Sequence, residues 1–425
     1  MAREFRTVRR PASMDTPEFD LAYVRAHRGA GVPVVIIPGG PGLGSVRVYG
    51  GLRRSAPDLD IVMVEHRGVG YSRRDLTGAE LPASAMTVAA AVDDIAAVLD
   101  AEHIDRAVIV GSSYGTYLAQ GFGVRHPERV VAMVLDSTLL SAQDHDAVRA
   151  HARRLLWEGE RGPTAAAARR IRRLVEKEGA DPLPLGATSA FLYEFGGVPR
   201  LERYLEQRAR HRTGLVDRTF RVARTHGTAR SVPYVMEFGL VGNLATRELQ
   251  YAPAPDGLIF DPAYATAGLL ARFPAFEKEP FDLPAALPRF DWPVVVLTGE
   301  RDLTTPPSVA KRTAALARRS RFVRVPGIGH SVLDSHPEAL LAAIRALLRG
   351  EPISLGGLRR RGLTRHLAPA IGGLLAVDRL SAALLRDAPS GRDGVDGRDG
   401  ADGPDGPGIE GRDPMDEEQP SAPRP

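Results

Sequence analysis

Short, continuously apolar segments recur along the chain, and helical stretches separate them. The apolar segments lie at 32–37, 60–64, 107–110, 130–135 and 294–297, and a further short strand is predicted at 321–325. A continuous apolar run is typical of a strand buried on both faces, whereas the looser alternation over 19–27 predicts an antiparallel strand. The helical stretches lie at 87–102, 114–125, 306–318 and 336–349. This alternation predicts an α/β fold, with a mostly parallel sheet and helices on both faces.

The strand–helix rhythm stops between residues 140 and 288, a region rich in Arg, Ala and Glu with helical periodicity, and it resumes at Val294. A helical insertion between two strands of one sheet is typical of a cap. Such a cap covers the carboxyl edge of the strands, where folds of this class hold their ligands. We therefore expect a core made of residues 1–139 and 289–350, with a helical cap at 140–288.

The C-terminal part of the chain has two sections of unlike composition. Residues 351–386 contain the cluster Arg359–Arg361 and then an Ala- and Leu-rich stretch. This pattern predicts a helical extension packed on the body, and the alternative is an interfacial membrane anchor. In 387–425, glycine recurs at every third position from 391 to 406. Collagen has this spacing, but proline is sparse here, so we predict a disordered, Gly/Asp-rich acidic tail.

The composition excludes several classes of protein. Apolar residues make up 43% of the 425 residues and charged residues 25%, as in ordinary globular proteins. There is no cysteine, which rules out disulfide scaffolds, thiol catalysis and cysteine-ligated metal centres. The tail has a net charge of −7 and the remainder +11. Because the Arg residues are spread along the chain, we expect no nucleic-acid partner.

Neither a secretory signal nor a membrane span is expected. Residues 1–6 carry charges throughout and lack the apolar core of a signal peptide. The most apolar candidate span, 367–385, is interrupted by Asp378 and Arg379 and its apolar run is too short to cross a bilayer. We therefore expect a cytoplasmic protein without an integral membrane segment, and the sequence does not indicate its oligomeric state.

The segment Gly111–Gly115 carries the sharpest chemical signal. It reads Gly-Ser-Ser-Tyr-Gly, directly after the apolar run at 107–110 and directly before a predicted helix. This is the Gly-x-Ser-x-Gly nucleophile elbow in the strand–turn–helix context that the motif requires. A turn this tight strains the backbone of the central residue, and the flanking glycines relieve the strand–helix contact. We therefore predict that Ser113 is a nucleophile, since Ser112 lies one residue too early.

A nucleophilic serine of this kind needs an oxyanion hole with two N–H donors. The first donor is expected at Tyr114, the residue after the nucleophile. The second is expected in the loop Pro38–Gly44, which follows the strand at 32–37. Glycines let the backbone approach a substrate closely, and we select Gly40 as the donor.

The serine also needs a base. His330 follows the short strand at 321–325 and precedes the last body helix, where the chain order Ser…Asp…His places the catalytic histidine. The rival is His66, which also follows a strand but precedes the nucleophile. We predict that His330 is the base.

The base needs a carboxylate that orients it and stabilises the imidazolium. Asp302 directly follows the strand at 294–297 and is the expected partner. Glu300 and Asp136 are its rivals for this role. Asp136 ends the strand at 130–135, and its structural alternative is to cap the turn into the insertion.

Metal and cofactor sites are not expected. The chain lacks His-Glu-x-x-His, and no pair of histidines has ligand spacing beside a carboxylate cluster. The glycines at 39–44 and 68–70 match neither the P-loop nor the dinucleotide-binding pattern.

Three segments resemble the prolyl and tripeptidyl aminopeptidases, which are serine peptidases of the α/β-hydrolase fold. The segments are Glu65–Ser72 (Glu-His-Arg-Gly-Val-Gly-Tyr-Ser), Pro38–Gly44 and Gly111–Leu118. The resemblance covers about 5–136 and 290–349 and fades in the insertion. Glu65 stands where the family usually has Asp, and Pro38 stands where prolyl iminopeptidases often have His.

The resemblance implies an α/β-hydrolase fold with an inserted helical cap and a proline iminopeptidase-like activity that needs no cofactor. Family members hold the free amino group of the substrate with cap carboxylates, and Glu194 and Glu237, each flanked by aromatic residues, are the implied counterparts. We therefore expect a serine hydrolase acting on a small peptide or a small acyl substrate. An esterase or amide hydrolase with the same triad is one alternative, and a non-catalytic binding protein on the same fold is another.

Overall fold

The structure, a computed structural model, describes residues 5–159, 161–227, 231–269, 272–358, 362 and 366–384. Its strands are β1 (Arg6–Arg10), β2 (Phe19–Ala26), β3 (Val34–Ile37), β4 (Ile61–Val64), β5 (Ala107–Ser112), β6 (Val130–Asp136), β7 (Val294–Gly299) and β8 (Ser320–Val325). They form one sheet in the order β1-β2-β4-β3-β5-β6-β7-β8. The strands from β3 to β8 pair in parallel, and β2 pairs antiparallel with both β1 and β4. The predicted mostly parallel sheet is confirmed.

Helices cover both faces of this sheet. In the core they are α1 (Gly50–Arg54), α2 (Val88–Ala101), α3 (Tyr114–Arg125), α12 (Pro307–Leu316), α13 (Val332–Ser335) and α14 (Pro337–Arg349). Successive residues of a strand point to opposite faces. Val35 and Ile37 accordingly pack in a cluster with α2, α3 and α12. Val34 and Ile36 pack with α1, α13 and α14 on the other face. Burial on both faces explains why these strands have continuous apolar runs.

The strand β1 was not predicted, and its sequence explains why. It reads Arg-Thr-Val-Arg-Arg and, within the part of the chain that the structure describes, lies at the edge of the sheet and pairs with β2 alone. Charged side chains on an edge strand protect it from pairing with other chains, and they remove the apolar pattern by which a strand is recognised.

The region between β6 and β7 is helical, as predicted. Its helices are α4 (His145–Leu156), α5 (Ala165–Glu176), α6 (Pro182–Phe191), α7 (Val198–Arg208), α8 (Gly214–Gly227), α9 (Phe238–Leu249), α10 (Ala263–Thr266) and α11 (Leu283–Ala286), with a π-helical turn at Leu192–Gly196. Leu156, Ile171, Leu201 and Leu205 belong to a hydrophobic cluster separate from the two that flank the sheet. Residues 140–288 are called the insert below, and their role as a cap stays a prediction.

The last helix, α15 (Leu367–Leu384), packs on the insert. Ile371 and Leu375 join the hydrophobic cluster of the insert. The Asp378 carboxylate accepts hydrogen bonds from the backbone N–H groups of Leu215 and Val216, both at 2.8 Å, and so caps the start of α8. The structure therefore places α15 against the insert, and the assignment of 351–386 as a separate helical extension stays a prediction. Arg359–Arg361, residues 385 and 386 and the tail at 387–425 lie outside the described residues.

The helix α15 is also the stretch considered as a membrane span. Within the described ranges, no helix combines the length and the apolar character needed to cross a bilayer.

Replacing Asp378 with Ala should lower the stability of the protein. Only 6% of Asp378 is exposed, so the two N–H groups that it caps would lose their acceptor in a buried setting. Loss of a helix cap costs about 1–2 kcal/mol. Urea denaturation of the full chain would measure this loss, and Asp378→Asn, which can still cap a helix, should be intermediate. An unchanged unfolding midpoint for Asp378→Ala would contradict the capping role.

Candidate active site

The segment Gly111–Gly115 forms a sharp turn between β5 and α3. Ser113 lies between the two elements with φ 53° and ψ −122°, in the left-handed half of backbone space that residues with a side chain rarely adopt. A Cβ on Gly111 would overlap the backbone of Gly115, and a Cβ on Gly115 would lie 2.6 Å from the Pro38 carbonyl oxygen. Both glycines are therefore required by the close contact of strand and helix.

Three side chains from separate parts of the chain meet at the carboxyl ends of β5, β7 and β8. His330 Nε2 lies 2.8 Å from Ser113 Oγ. On its other side, His330 Nδ1 lies 3.0 Å from Asp302 Oδ2 and 3.2 Å from Oδ1. Because a carboxylate only accepts, Nδ1 carries the ring proton and Nε2 is left to accept the proton of the serine hydroxyl.

Burial and charge act in opposite directions on this pair. Burial by itself lowers the pKa of His330, but the Asp302 carboxylate outweighs it and raises the pKa to about 9. Burial likewise tends to raise the pKa of Asp302, but the facing imidazolium holds it below the usual range. The site therefore stabilises the imidazolium form of His330 more than water does. A general base needs this stabilisation, because it has to hold the proton that it takes from the serine.

The loop Pro38–Gly44 passes directly over the serine. A Cβ on Gly39 would lie 3.0 Å from Ser113 Cβ and 3.6 Å from its Oγ, so any larger residue would crowd the serine. Gly40 has φ +116°, a conformation that glycine adopts without strain. Tyr114 is the first residue of α3, directly after the serine. The two residues selected as oxyanion donors thus lie on the two backbone segments beside Ser113.

Comparison with known proteins agrees with this topology. A family model described as "alpha/beta hydrolase fold" matches residues 32–176, and one described as "TAP-like protein" matches residues 272–352. The chain has the α/β-hydrolase fold. The two matched stretches contain Ser113 in the first and both Asp302 and His330 in the second.

Curated relatives match a shorter part of this α/β-hydrolase-fold chain. A proline iminopeptidase from Heyndrickxia coagulans is 29% identical over 114 residues, which is 27% of this chain and 38% of that protein. A 2-hydroxymuconate semialdehyde hydrolase from Pseudomonas sp. (strain CF600) is 37% identical over 113 residues, 25% of this chain and 36% of that protein. The chain thus spans less than two fifths of the length of these relatives. A crystal structure of proline iminopeptidase from Mycobacterium smegmatis has a TM-score of 0.46 at 17% identity, covering 81% of this chain and 98% of that chain.

The rivals for the base and the carboxylate have other partners in this α/β-hydrolase-fold protein. His66 Nδ1 faces the Arg67 carbonyl oxygen at 2.5 Å, so its Nε2 accepts from the Tyr114 hydroxyl at 2.9 Å. Burial lowers the pKa of His66 to about 4. Glu300 accepts a hydrogen bond from the Gly327 N–H at 2.8 Å. These contacts give His66 and Glu300 structural roles beside the site.

Asp136 has a role that the sequence did not indicate. Its carboxylate accepts from the backbone N–H groups of Val332 and Leu333, at 3.0 and 2.9 Å, and from the Ser112 hydroxyl at 2.7 Å. The side chain therefore caps α13, directly behind His330. It also accepts a hydrogen bond from the Ser137 hydroxyl at 3.2 Å, where the chain turns into the insert, so the interpretation as a cap of that turn stays a prediction. Val332 and Leu333 lie 196 and 197 residues away in sequence, so no local signal could have identified these two partners.

The insert carboxylates considered for substrate binding both lie beside loops of the site. Glu194 Oε1 accepts from the Leu303 N–H at 3.0 Å, next to Asp302. Glu237 accepts from the Gly70 N–H, and its own N–H donates to the Gly42 carbonyl oxygen at 2.8 Å. Both carboxylates thus have backbone partners already, and their contact with a substrate stays a prediction.

Among the described residues, Glu194, Asp302 and His330 are the group whose ligand atoms converge, within 4.8 Å of one another. Asp302 already faces His330 Nδ1 and accepts the Thr305 N–H at 2.8 Å. The Asp302 oxygens and His330 Nδ1, which could also be metal ligands, therefore already take part in the hydrogen bonds of a serine–histidine–aspartate relay.

Proposed function

We propose that this protein is a serine hydrolase with Ser113 as nucleophile, His330 as general base and Asp302 as the orienting carboxylate. The observation that carries the proposal is the 2.8 Å contact between His330 Nε2 and Ser113 Oγ, with Asp302 bound to the other ring nitrogen. In this arrangement the imidazole takes the hydroxyl proton as the oxygen attacks a carbonyl carbon. The imidazolium then protonates the leaving group. In the second half of the reaction, His330 takes a proton from a water molecule that attacks the acyl-enzyme, and it returns that proton to Ser113 as the acid product leaves. No step uses a cofactor.

The oxyanion of the tetrahedral intermediate is proposed to bind the backbone N–H groups of Gly40 and Tyr114. The close approach of the Pro38–Gly44 loop to Ser113 supports this assignment. The position of Tyr114 at the N-terminus of α3 supports it as well, because helix N-termini stabilise negative charge.

A fluorophosphonate probe tests the chemistry without knowledge of the substrate. We expect a covalent adduct on Ser113, found by mass spectrometry of the labelled peptide. Prior heat denaturation should abolish labelling, because the reaction needs the assembled triad. A folded protein that gives no adduct would support the alternative of a non-catalytic binding protein.

The finer proposal is an aminopeptidase that releases proline or another small apolar residue from peptide N-termini. Its support is the motif resemblance and the similarity, over part of the chain, to proline iminopeptidases. Such an enzyme needs a carboxylate that pairs with the substrate ammonium group. Glu237 and Glu194 are the candidates from the insert. Glu237 is the better placed for this role, since it borders the Pro38–Gly44 loop.

An esterase or amide hydrolase acting on a small apolar acyl group is the second candidate. The observation that favours it is that both insert carboxylates already bind backbone N–H groups. The similarity over part of the chain to a protein named 2-hydroxymuconate semialdehyde hydrolase also supports a substrate other than a peptide.

Matched substrates with a free and an acetylated amine should separate these two candidates. For an aminopeptidase, acetylation of prolyl or alanyl p-nitroanilide should lower kcat/KM by about thirtyfold or more, because a buried carboxylate would lose its partner. For an esterase, p-nitrophenyl esters should be cleaved whether or not they carry an amine. Equal kcat/KM for the free and acetylated anilides would overturn the aminopeptidase proposal and leave the serine hydrolase proposal intact.

A further inference from the structure

The π-helical turn Leu192–Gly196 of the insert is wedged between the two loops that supply Asp302 and His330. A Cβ on Gly329, the residue before His330, would lie 2.5 Å from the Glu194 carbonyl oxygen. From the other loop, Arg301 Nε donates to that carbonyl oxygen at 3.3 Å, and Arg301 Nη2 donates to the Gly327 carbonyl oxygen at 3.0 Å. The backbone at Glu194 is therefore fixed against both loops. π-Helical turns are rare and often lie at functional sites.

The side chain of Glu194 holds the turn that carries Asp302. Glu194 Oε1 accepts from the backbone N–H groups of Leu303 and Thr304 at 3.0 and 3.3 Å, and from the Thr304 hydroxyl at 3.3 Å. The next residue, Thr305, donates its N–H to Asp302 Oδ1 at 2.8 Å and its hydroxyl to Oδ2 at 3.0 Å. Two carboxylates thus accept hydrogen bonds from the turn 302–305: Asp302, which belongs to the turn, and Glu194, which belongs to the insert.

We propose that Glu194 is a positioning residue, which fixes the turn 302–305 so that Asp302 holds His330 in line with Ser113. The inference rests on the proposed serine hydrolase function and adds a role for the insert, since the triad is then assembled only when the insert is in place. It differs from a role in binding the substrate amine, because the partners of Glu194 are backbone groups of the protein itself. Displacement of a catalytic group by about 1 Å can cost about a hundredfold in rate.

The electrostatic environment gives the proposal a second readout. Burial and the neighbouring Asp302 raise the pKa of Glu194 to about 7, and the negative charge of Glu194 in turn raises the pKa of His330. Among the described residues, the other charged or titratable groups that face the cluster include Asp136 and Asp334 beside His330, His151 beside Asp302, and Tyr193 and Arg301 beside Glu194. Removal of the Glu194 charge should lower the pKa of His330, so the acid limb of the reaction should move to lower pH.

Two substitutions separate geometry from charge. Glu194→Gln keeps the length of the side chain and an oxygen that can accept the two N–H groups, but it removes the charge. Glu194→Asp keeps the charge but is one methylene too short to reach them. The second-order rate constant for fluorophosphonate labelling of the full chain measures triad assembly without any substrate. Glu206, which is exposed on α7, supplies the matched control Glu206→Asp.

If Glu194 positions the turn, Glu194→Gln should label at least about tenfold faster than Glu194→Asp, with its acid limb at lower pH than that of the wild type. Glu206→Asp should label like the wild type. An amine-binding role predicts that both variants label like the wild type and that Glu194→Gln raises KM only for substrates with a free amine. That result would overturn the inference, as would equal labelling rates with only a lower melting temperature. A wild-type protein that is not labelled would overturn the proposed function itself.

Discussion

Replacing Ser113 with alanine is expected to abolish hydrolysis, with kcat lowered by about 10⁴-fold or more. The oxygen that His330 Nε2 contacts at 2.8 Å is the proposed nucleophile, and without it no acyl-enzyme forms. The Gly40 and Tyr114 donors would remain, so a small residual rate from oxyanion stabilisation is expected. The measurement is kcat on p-nitrophenyl esters and on aminoacyl p-nitroanilides, prolyl included.

Ser112→Ala is the matched control at the neighbouring position. Its hydroxyl donates to Asp136 and not to His330, so this variant should keep at least about a tenth of wild-type kcat. Wild-type turnover by Ser113→Ala, or loss of turnover by Ser112→Ala alone, would overturn the assignment of the nucleophile.

Replacing Asp302 with asparagine is expected to lower kcat by about 10⁴-fold. The Asp302 carboxylate accepts the proton on His330 Nδ1, and this fixes the tautomer in which Nε2 can take the serine proton. An amide can donate to Nδ1, which favours the opposite tautomer and blocks the base. Since Asn has the same shape as Asp, the fold should persist, and circular dichroism would verify this.

The same substitution should also change the pH dependence. Asp302 raises the pKa of His330 to about 9 against the effect of burial, and a base works only when neutral, so wild-type kcat/KM should rise with pH into the alkaline range. In Asp302→Asn, only the smaller effects of the Glu194 and Asp136 charges still oppose burial, so the pKa of His330 falls and the acid limb moves to lower pH. Glu300→Gln, a change in the rival carboxylate, should leave kcat within about threefold of wild type. A large loss of kcat in Glu300→Gln together with near wild-type kcat in Asp302→Asn would assign the orienting role to Glu300.

Much of the fold could be predicted from the sequence because the burial of a strand or helix determines which of its neighbouring residues are apolar. A strand covered by helices on both faces has to be apolar at every position, as in Val34–Ile37, and its ends are marked by the glycines and polar residues that follow. The strand Arg6–Arg10 was missed because its sequence has no apolar run, as expected for a strand that lies at the edge of the sheet among the described residues.

The candidate site could be predicted in part for the same reason. Gly111 is required by its close contact with Gly115 four residues later, and Gly115 by its close contact with Ile37 and Pro38, so the five-residue elbow motif records both contacts. Asp302 and His330 were found from their place after strands and from chain order. Their distance from Ser113 depends on the assembled sheet. Because parallel strands end at the same edge, the residues that follow these strands lie close together there.

The sequence by itself determined the α/β architecture and the residue types at each strand end, since these follow from local burial and turn geometry. Only the tertiary structure decided which carboxylate does what. Asp136 caps α13, Glu194 holds the turn at 302–305, and Asp378 caps α8, each through backbone groups far away in sequence. Every residue except proline has the same backbone N–H donor, whatever its side chain, so such hydrogen bonds cannot be recognised from the sequence. Which N–H group a carboxylate binds depends only on the three-dimensional structure.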